Sequence, residues 1–400
     1  MTTERKILAA LFLVAMAIRL TWTVRQPSSM QALKALPDQV EYLSLGRNLL
    51  QHHELFFYDP RFEQVVYAYR TPGYPIFIAL CGGSPVAVRV VQSVIDASDV
   101  LAVYLLAEWF VPSIYALLAA TFIAFDPFLV FFGGLILSET LCTAMILWSL
   151  VLCMLVRRRY SYFGPVVAAL SVLVRPSGLF LPMLIPLAAG LKHKAARLGA
   201  VVGLASLIVF LGLWAWRNQA VLGDWIWTTT NAGITQYDGF NSGATGASDQ
   251  RFVQKMPYLQ QIGEVARNSY LHSLADAYMQ THPGRVFTLA LAKLERTFSP
   301  IPLSEQFDRP MYLAIAVAYS VPTFLLALVA LIRWRGGWRS KLLLLSVPIY
   351  FAFVHAFSIG SLRYRMPAEP FLAILAAAGF ESLAENKAMD VNLEKSETEN

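Results

Sequence analysis

Asp38 and Glu41 stand three residues apart just after Pro37, in the stretch Pro37-Asp38-Gln39-Val40-Glu41-Tyr42. An arginine–proline turn, Arg70-Thr71-Pro72-Gly73-Tyr74-Pro75, follows it. Arg89, the pair Ser138-Glu139, Arg175 in Val174-Arg175-Pro176-Ser177-Gly178, and Arg363-Tyr364-Arg365 before Met366-Pro367 come later in the chain. These residue types have definite chemistry. A positioned carboxylate takes a proton from an attacking hydroxyl and contributes roughly 10²–10⁴-fold in rate. Arginine forks bind phosphate oxygens in pairs and stabilise developing negative charge. Each also has a plainer use. Asp38 lies where a helix should begin, so its carboxylate either caps that helix or points into a cavity. Glu139 sits at the end of an apolar run as many solvated loop residues do, and Arg175 can snorkel to lipid headgroups.

The elements that would position these groups are set by composition. The chain has 400 residues, 56% hydrophobic and 14% charged, against roughly 25% charged in ordinary soluble domains. Its mean hydropathy is +0.52. A soluble core cannot absorb that much apolar surface, so the sequence reads as an all-α polytopic membrane protein. The formal charge of +6 comes from basic residues clustered in short loops, which points to membrane topology and away from nucleic acid. Cys81, Cys142 and Cys153 form neither a CxxC pair nor an even set, and two lie in apolar runs as small hydrophobes. No small-residue cleavage site follows the first apolar run, which reads as a retained helix.

About ten membrane helices are expected, near 7–24, 86–107, 114–133, 140–156, 162–174, 177–190, 198–216, 311–332, 342–358 and 367–380. Arg157, Arg158, Arg159, Lys192, Lys194, Arg197 and the basic 333–341 segment then share one side, cytoplasmic by the positive-inside rule. The long connections 25–85 and 217–310 fall on the other side, the second polar enough to form an external cap. This divides the chain into a transmembrane catalytic module over 1–216, a cap over 217–310, C-terminal helices over 311–380 and an acidic, disordered tail over 381–400.

Ionisable groups at membrane depth are costly and therefore informative. Arg89, Gln92, Asp96 and Asp99 fall on one helix face. They either pair within the protein to satisfy burial or line a wet cavity, and Arg89, nearer the external end, favours the second use. Asp126, before Pro127, is placed to cap a broken helix.

Taken in order, these motifs resemble those of the GT-C glycosyltransferases, in particular the protein O-mannosyltransferase and lipid A aminoarabinose transferase branch (glycosyltransferase family 39-like). The shared features are one N-terminal span, a loop with D-x-x-x-Y, R-x-P-x-Y-P, an arginine early in the second span, an acidic residue after the third, an R-P turn, and RYRMP before the last span. The resemblance implies a GT-C-type bundle with an inverting transferase activity that uses a polyprenyl-phosphate sugar at the external face of a bacterial inner membrane. It makes Asp38 the base, with Glu139 at the second acidic position to orient the acceptor or support a cation. Arg70, Arg89, Arg175, Arg363 and Arg365 become candidates for the donor phosphate. Tyr42 and Tyr74 are candidates to stack on a sugar, or else members of the interfacial aromatic belt. Asp38, Glu41 and Glu139 supply hard oxygen ligands that suit Mg or Mn, and no ligand spacing decides for or against one. The acceptor is a lipid, a polysaccharide or a protein. A transporter or flippase, or a polymerase with a diphosphate-linked donor, is the competing reading. The transporter should show repeats with midplane charges in both halves, whereas these charges gather in the first half.

Overall fold

The computed structural model describes residues 3–155, 162–189, 193–303 and 309–398. The Arg157–Arg159 run and Lys192, which set the expected sidedness, lie outside these residues, as does the side chain of Lys194. The chain begins with α1 (Thr3–Val24), α2 (Met30–Leu33) and α3 (Pro37–His52). A small antiparallel hairpin follows, β1 (Phe57–Asp59) against β2 (Gln64–Val66), with Tyr58 opposite Val65. Next come α4 (Gly73–Leu80), α5 (Pro85–Ala107), α6 (Ser113–Ala124), α7 (Pro127–Gly133), α8 (Ser138–Leu155), α9 (Phe163–Val174) and α10 (Leu181–Ala188). The long α11 (His193–Leu222) leads into α12 (Ala232–Gly239), α13 (Tyr258–Gln261), α14 (Glu264–Thr281) and α15 (Pro283–Thr297). The chain closes with α16 (Pro310–Arg333), α17 (Gly337–Ala356) and α18 (Glu369–Thr398).

Every apolar stretch expected to cross a membrane has helical backbone. Four of the described helices, α1, α5, α11 and α16, are long and apolar enough to span by themselves, and α6 with α7 makes a fifth, bent by 46°. That bend is encoded locally. Asp126 caps α7 by accepting from Phe128 N at 2.8 Å and Leu129 N at 3.1 Å, and Pro127 takes the first helical position, where no N–H is needed. Breaking a helix at membrane depth orphans the carbonyls that end α6. Arg19 of α1 supplies their donors, reaching Ile123 O and Ala124 O at 3.0 Å each while its Nε holds Asp96 of α5 at 2.6 Å. Gln92, one turn along the same face, donates to Gly133 O and Leu135 O at the C-terminal end of α7. The polar stripe of α5 thus supports the broken helix.

Close approach sets the C-terminal packing. A Cβ on Gly379 would lie 1.9 Å from Leu326 O, so only glycine lets α18 seat against α16 there. The backbone of α18 runs on through the acidic segment expected to be disordered. That segment is rich in Ala, Glu, Lys and Leu, which favour helix.

The two long connections share one core. Leu45, Phe57, Phe62, Val66 and Tyr69 from the first pack with Ile234, Val253, Leu259 and Leu271 from the second. Glu264 at the start of α14 ties them further, accepting from Tyr67 N at 2.9 Å and from Thr230 Oγ1 at 2.8 Å. Together they form a polar layer over one end of the helices.

Candidate active site

Between this layer and the helices lies a cavity of about 1140 Å³. Its apolar lining includes Phe128, Phe131 and Phe132 of α7 and Ile315 and Ala316 of α16, and its polar lining includes Asn231, Thr235, Ser248, Gln250, Gln254 and Gln260. Asp38 lines the cavity with its side chain 24% exposed.

Asp38 does not cap its helix. Pro37 opens α3, and the cap position belongs to Leu36, which makes no side-chain cap bond. The carboxylate is instead held from both sides: Oδ1 accepts from Arg70 Nη2 at 2.8 Å and Oδ2 from Arg363 Nη1 at 2.6 Å. Burial acts to raise the Asp38 carboxyl, but the Arg70 and Arg363 guanidiniums outweigh it and hold it well below the usual carboxylate range. Burial works against the charged form of Arg70 too, and Glu41 and Asp38 beside it reverse the sign and hold its guanidinium well up.

These contacts belong to a longer chain of alternating charge. Asp59 pairs with Arg61 at 2.7 Å, Arg61 with Glu41 at 3.0 Å, Glu41 with Arg70 at 2.5 Å, and Arg70 with Asp38. On the far side of Asp38, Arg363 reaches Glu139 at 3.5 Å, and Glu139 meets Arg175 at 2.7 Å. Four carboxylates therefore alternate with four guanidiniums and the network is neutral. Tyr364 supports one end, with Arg175 and Arg363 stacked on its ring at 4.8 and 5.0 Å and His355 stacked on it at 4.1 Å.

The residues expected from sequence separate into three groups. Asp38, Arg70 and Arg363 meet at the cavity wall, and Glu139 and Arg175 stand directly behind them. Tyr42 and Tyr74 do not reach the cavity. They pack edge to face at 4.9 Å beneath the network, where Tyr42 carries the Arg70 guanidinium on its ring at 5.1 Å and donates to Ser138 Oγ, while Tyr74 donates to Gln92 Oε1. Their rings serve packing because both sit inside the first loop's junction with the helices. Arg89 is also away from the cavity. It is buried and donates to Gln26 O, Pro27 O and Ser28 Oγ, tying down the start of the first connection.

Arg365 lies furthest from its expected use. It is 1% exposed, pairs with Glu369 at 2.5 Å, donates to Ser299 O at 2.7 Å and stacks on Phe128 and Phe324. Sequence reading missed Arg61, whose Nη2 donates to Tyr69 Oη at 2.8 Å in the cavity wall. The signal was Asp59-Pro60-Arg61, a tight turn in which Asp59 Oδ1 accepts from Arg61 N at 3.0 Å.

By residue type, Asp38, Glu41 and Glu139 are compatible with a divalent cation. Among the described residues, no group of three His, Cys, Asp or Glu side chains converges to hold one. Each of the three carboxylates already pairs with two guanidiniums.

No family model and no curated protein matches the sequence significantly. Solved structures do match its fold. The oligosaccharyltransferase AglB of Archaeoglobus fulgidus, in complex with an inhibitory peptide and a dolichol-phosphate, superposes with a TM-score of 0.57 at 14% identity, covering 98% of this chain and 52% of that one. The apo form of the Archaeoglobus fulgidus oligosaccharyltransferase gives 0.55 at 16% identity, covering 97% and 52%. Its complex with Zn and sulfate gives 0.51 at 15%, covering 96% and 51%. The chain shares the fold of these oligosaccharyltransferase structures over nearly its whole length. It spans about half the length of the structures it matches.

Proposed function

We propose that the chain is a membrane glycosyltransferase that moves a sugar from a polyprenyl-phosphate donor to an acceptor hydroxyl, with inversion, at the external face of a bacterial inner membrane. About ten helices cross the bilayer in this reading, residues 217–310 cap them, and the bundle delivers the lipid from the side. The observation that carries the proposal is Asp38: a carboxylate held by Arg70 and Arg363 in a cavity lined by both apolar and polar side chains. A lipid-linked sugar needs such a mixed lining, apolar for its chain and polar for its headgroup. The likeness to a fold solved with a dolichol-phosphate supports the donor class, and the acceptor peptide tethered in another structure of the Archaeoglobus fulgidus enzyme supports a peptide as one acceptor.

The geometry sets an order of events. As placed, each Asp38 oxygen accepts from one guanidinium, and these contacts make it a weak base. A donor phosphate entering beside Arg363 competes for that guanidinium, and a carboxylate freed of one partner gains basicity. Asp38 then takes the proton of the acceptor hydroxyl while its oxygen attacks the anomeric carbon from the face opposite the phosphate. The carbon–oxygen bond to phosphate breaks and its electron pair leaves with the polyprenyl phosphate. The leaving group carries its charge onto arginine and needs no proton. Glu139 receives the displaced Arg363 from 3.5 Å away and keeps it within reach.

The test is release of polyprenyl phosphate by the protein in nanodiscs, followed by mass spectrometry over a panel of polyprenyl-phosphate sugars with a membrane extract as acceptor. Release that collapses in Asp38→Asn supports the proposal and names the donor. Equal release from both proteins removes Asp38 as base, and no release from any donor by folded protein removes the activity.

A further inference from the structure

Five arginines line the cavity: Arg61, Arg70, Arg251, Arg296 and Arg363. Four have carboxylate partners. Arg61, Arg70 and Arg363 belong to the neutral alternating network, and Arg251, 81% exposed, pairs with Asp249 at 2.5 Å. Arg296 is the fifth. Among the described residues it forms no ion pair, and its Nε is buried with no hydrogen-bond partner. Among the described residues the cavity wall therefore carries one uncompensated positive charge, and it sits at Arg296.

Its place in the fold is fixed. Arg296 occupies the last turn of α15, and the loop that presents Arg363 crosses directly over it: a Cβ on Gly360 would lie 3.0 Å from Arg296 Cβ. Gly360 N also donates to Gly246 O at 2.8 Å, which pins that loop to the polar layer. Pro302 and Leu303, a few residues beyond Arg296, line the same cavity as Ile315 and Ala316 of α16.

We propose that Arg296 holds the phosphate of the lipid donor, a role additional to that of the arginines around Asp38; the inference rests on the donor class proposed above. A buried polar atom without a partner costs free energy that a ligand can recover. A phosphate supplies two oxygens to a guanidinium fork. The neutral network has no spare charge with which to attract an anion, whereas Arg296 does. Donor capture at Arg296 comes first, and the exchange of Arg363 from Asp38 to the phosphate follows.

The experiment measures binding of a short-chain polyprenyl phosphate and of the matching polyprenol to the full chain in nanodiscs, for wild type, Arg296→Gln, Arg296→Lys and Arg251→Gln. Wild type should prefer the phosphate. Arg296→Gln should weaken phosphate binding about 10- to 100-fold, the range for one charged hydrogen-bonded contact, and leave polyprenol binding unchanged. Arg296→Lys should retain part of the preference, and Arg251→Gln all of it. Inorganic phosphate that displaces the lipid in wild type only at millimolar concentration assigns the site to the lipid headgroup. Displacement at micromolar concentration assigns it to free phosphate and overturns the donor role. A wild-type preference that persists in Arg296→Gln, with the thermal midpoint retained, overturns the role of Arg296 alone. Equal wild-type binding of phosphate and polyprenol overturns the donor class as well.

Discussion

The Arg363 guanidinium touches both acids of the site, with Nη1 2.6 Å from Asp38 Oδ2 and Nε 3.5 Å from Glu139 Oε1. One side chain thus helps hold the proposed base and also contacts the residue behind it. If Arg363 moves between them, substitutions at the two acids are not independent. Measured as initial rates of polyprenyl-phosphate release, Arg363→Gln and Glu139→Gln should each slow transfer. Their combination should cost less than the product, with a coupling energy of about 0.5–3 kcal/mol. Purely multiplicative effects would show that Glu139 works apart from Arg363.

Asp38 also makes a prediction about acid. Its folded carboxyl sits below the usual range of about 3.9. The stability it contributes is therefore complete above that value and is lost as pH falls through the lower folded value. The difference in thermal midpoint between wild type and Asp38→Asn should be constant from pH 5 to 8 and shrink below about pH 4. A difference that changes between pH 5 and 8 would mean that the two arginines do not control this carboxylate.

Arg365 should behave as a structural residue. Removing one member of a buried pair leaves the other uncompensated, which costs about 3–5 kcal/mol. Arg365→Met should therefore lower the thermal midpoint strongly, and Arg365→Met with Glu369→Leu should recover much of the loss. The KM for donor in the double variant should match wild type. A raised KM at full stability would return Arg365 to the phosphate site.

Lys293 carries a separate pH signature. Its ammonium is fully buried, lies 3.3 Å from the Phe240 ring centroid and has no hydrogen-bond partner among the described residues. Burial pushes it down from 10.5 to about 7, with Asp238 opposing. Between those values the unfolded chain binds a proton that the folded one does not, so stability rises with pH and is flat below about 7. The thermal midpoint should climb from pH 7 to 10 in wild type. Lys293→Met should abolish the climb and melt at least about 2 °C higher at pH 7.

Much of the scaffold was readable because its rules are local. Apolar runs and Pro127 behind Asp126 placed helix ends to within a few residues. The roles of polar groups were less readable because they depend on partners far along the chain. In Arg363-Tyr364-Arg365 the two arginines look equivalent, yet within the 3₁₀ stretch Leu362–Ala368 one lines the cavity and the other enters the core between Phe128 and Phe324. Arg89 illustrates the same limit. Its position near the end of α5 suggested a cavity, but the carbonyls that claim it lie more than 60 residues earlier. Arg296 carried no motif at all and is distinguished only by what fails to pair with it.

The alternating network also has a consequence for biosynthesis. Arg363 is made 325 residues after Asp38. Until then the first loop holds Asp38 and Arg70 without the far half of the network, and the polar layer lacks the loop that Gly360 pins to Gly246. A chain released before its last helix would carry the acid but not the cation proposed to exchange with the donor. Such a chain would lack the proposed catalytic assembly, so a stalled ribosome would release an inactive protein instead of one that discharges lipid-linked sugar to water.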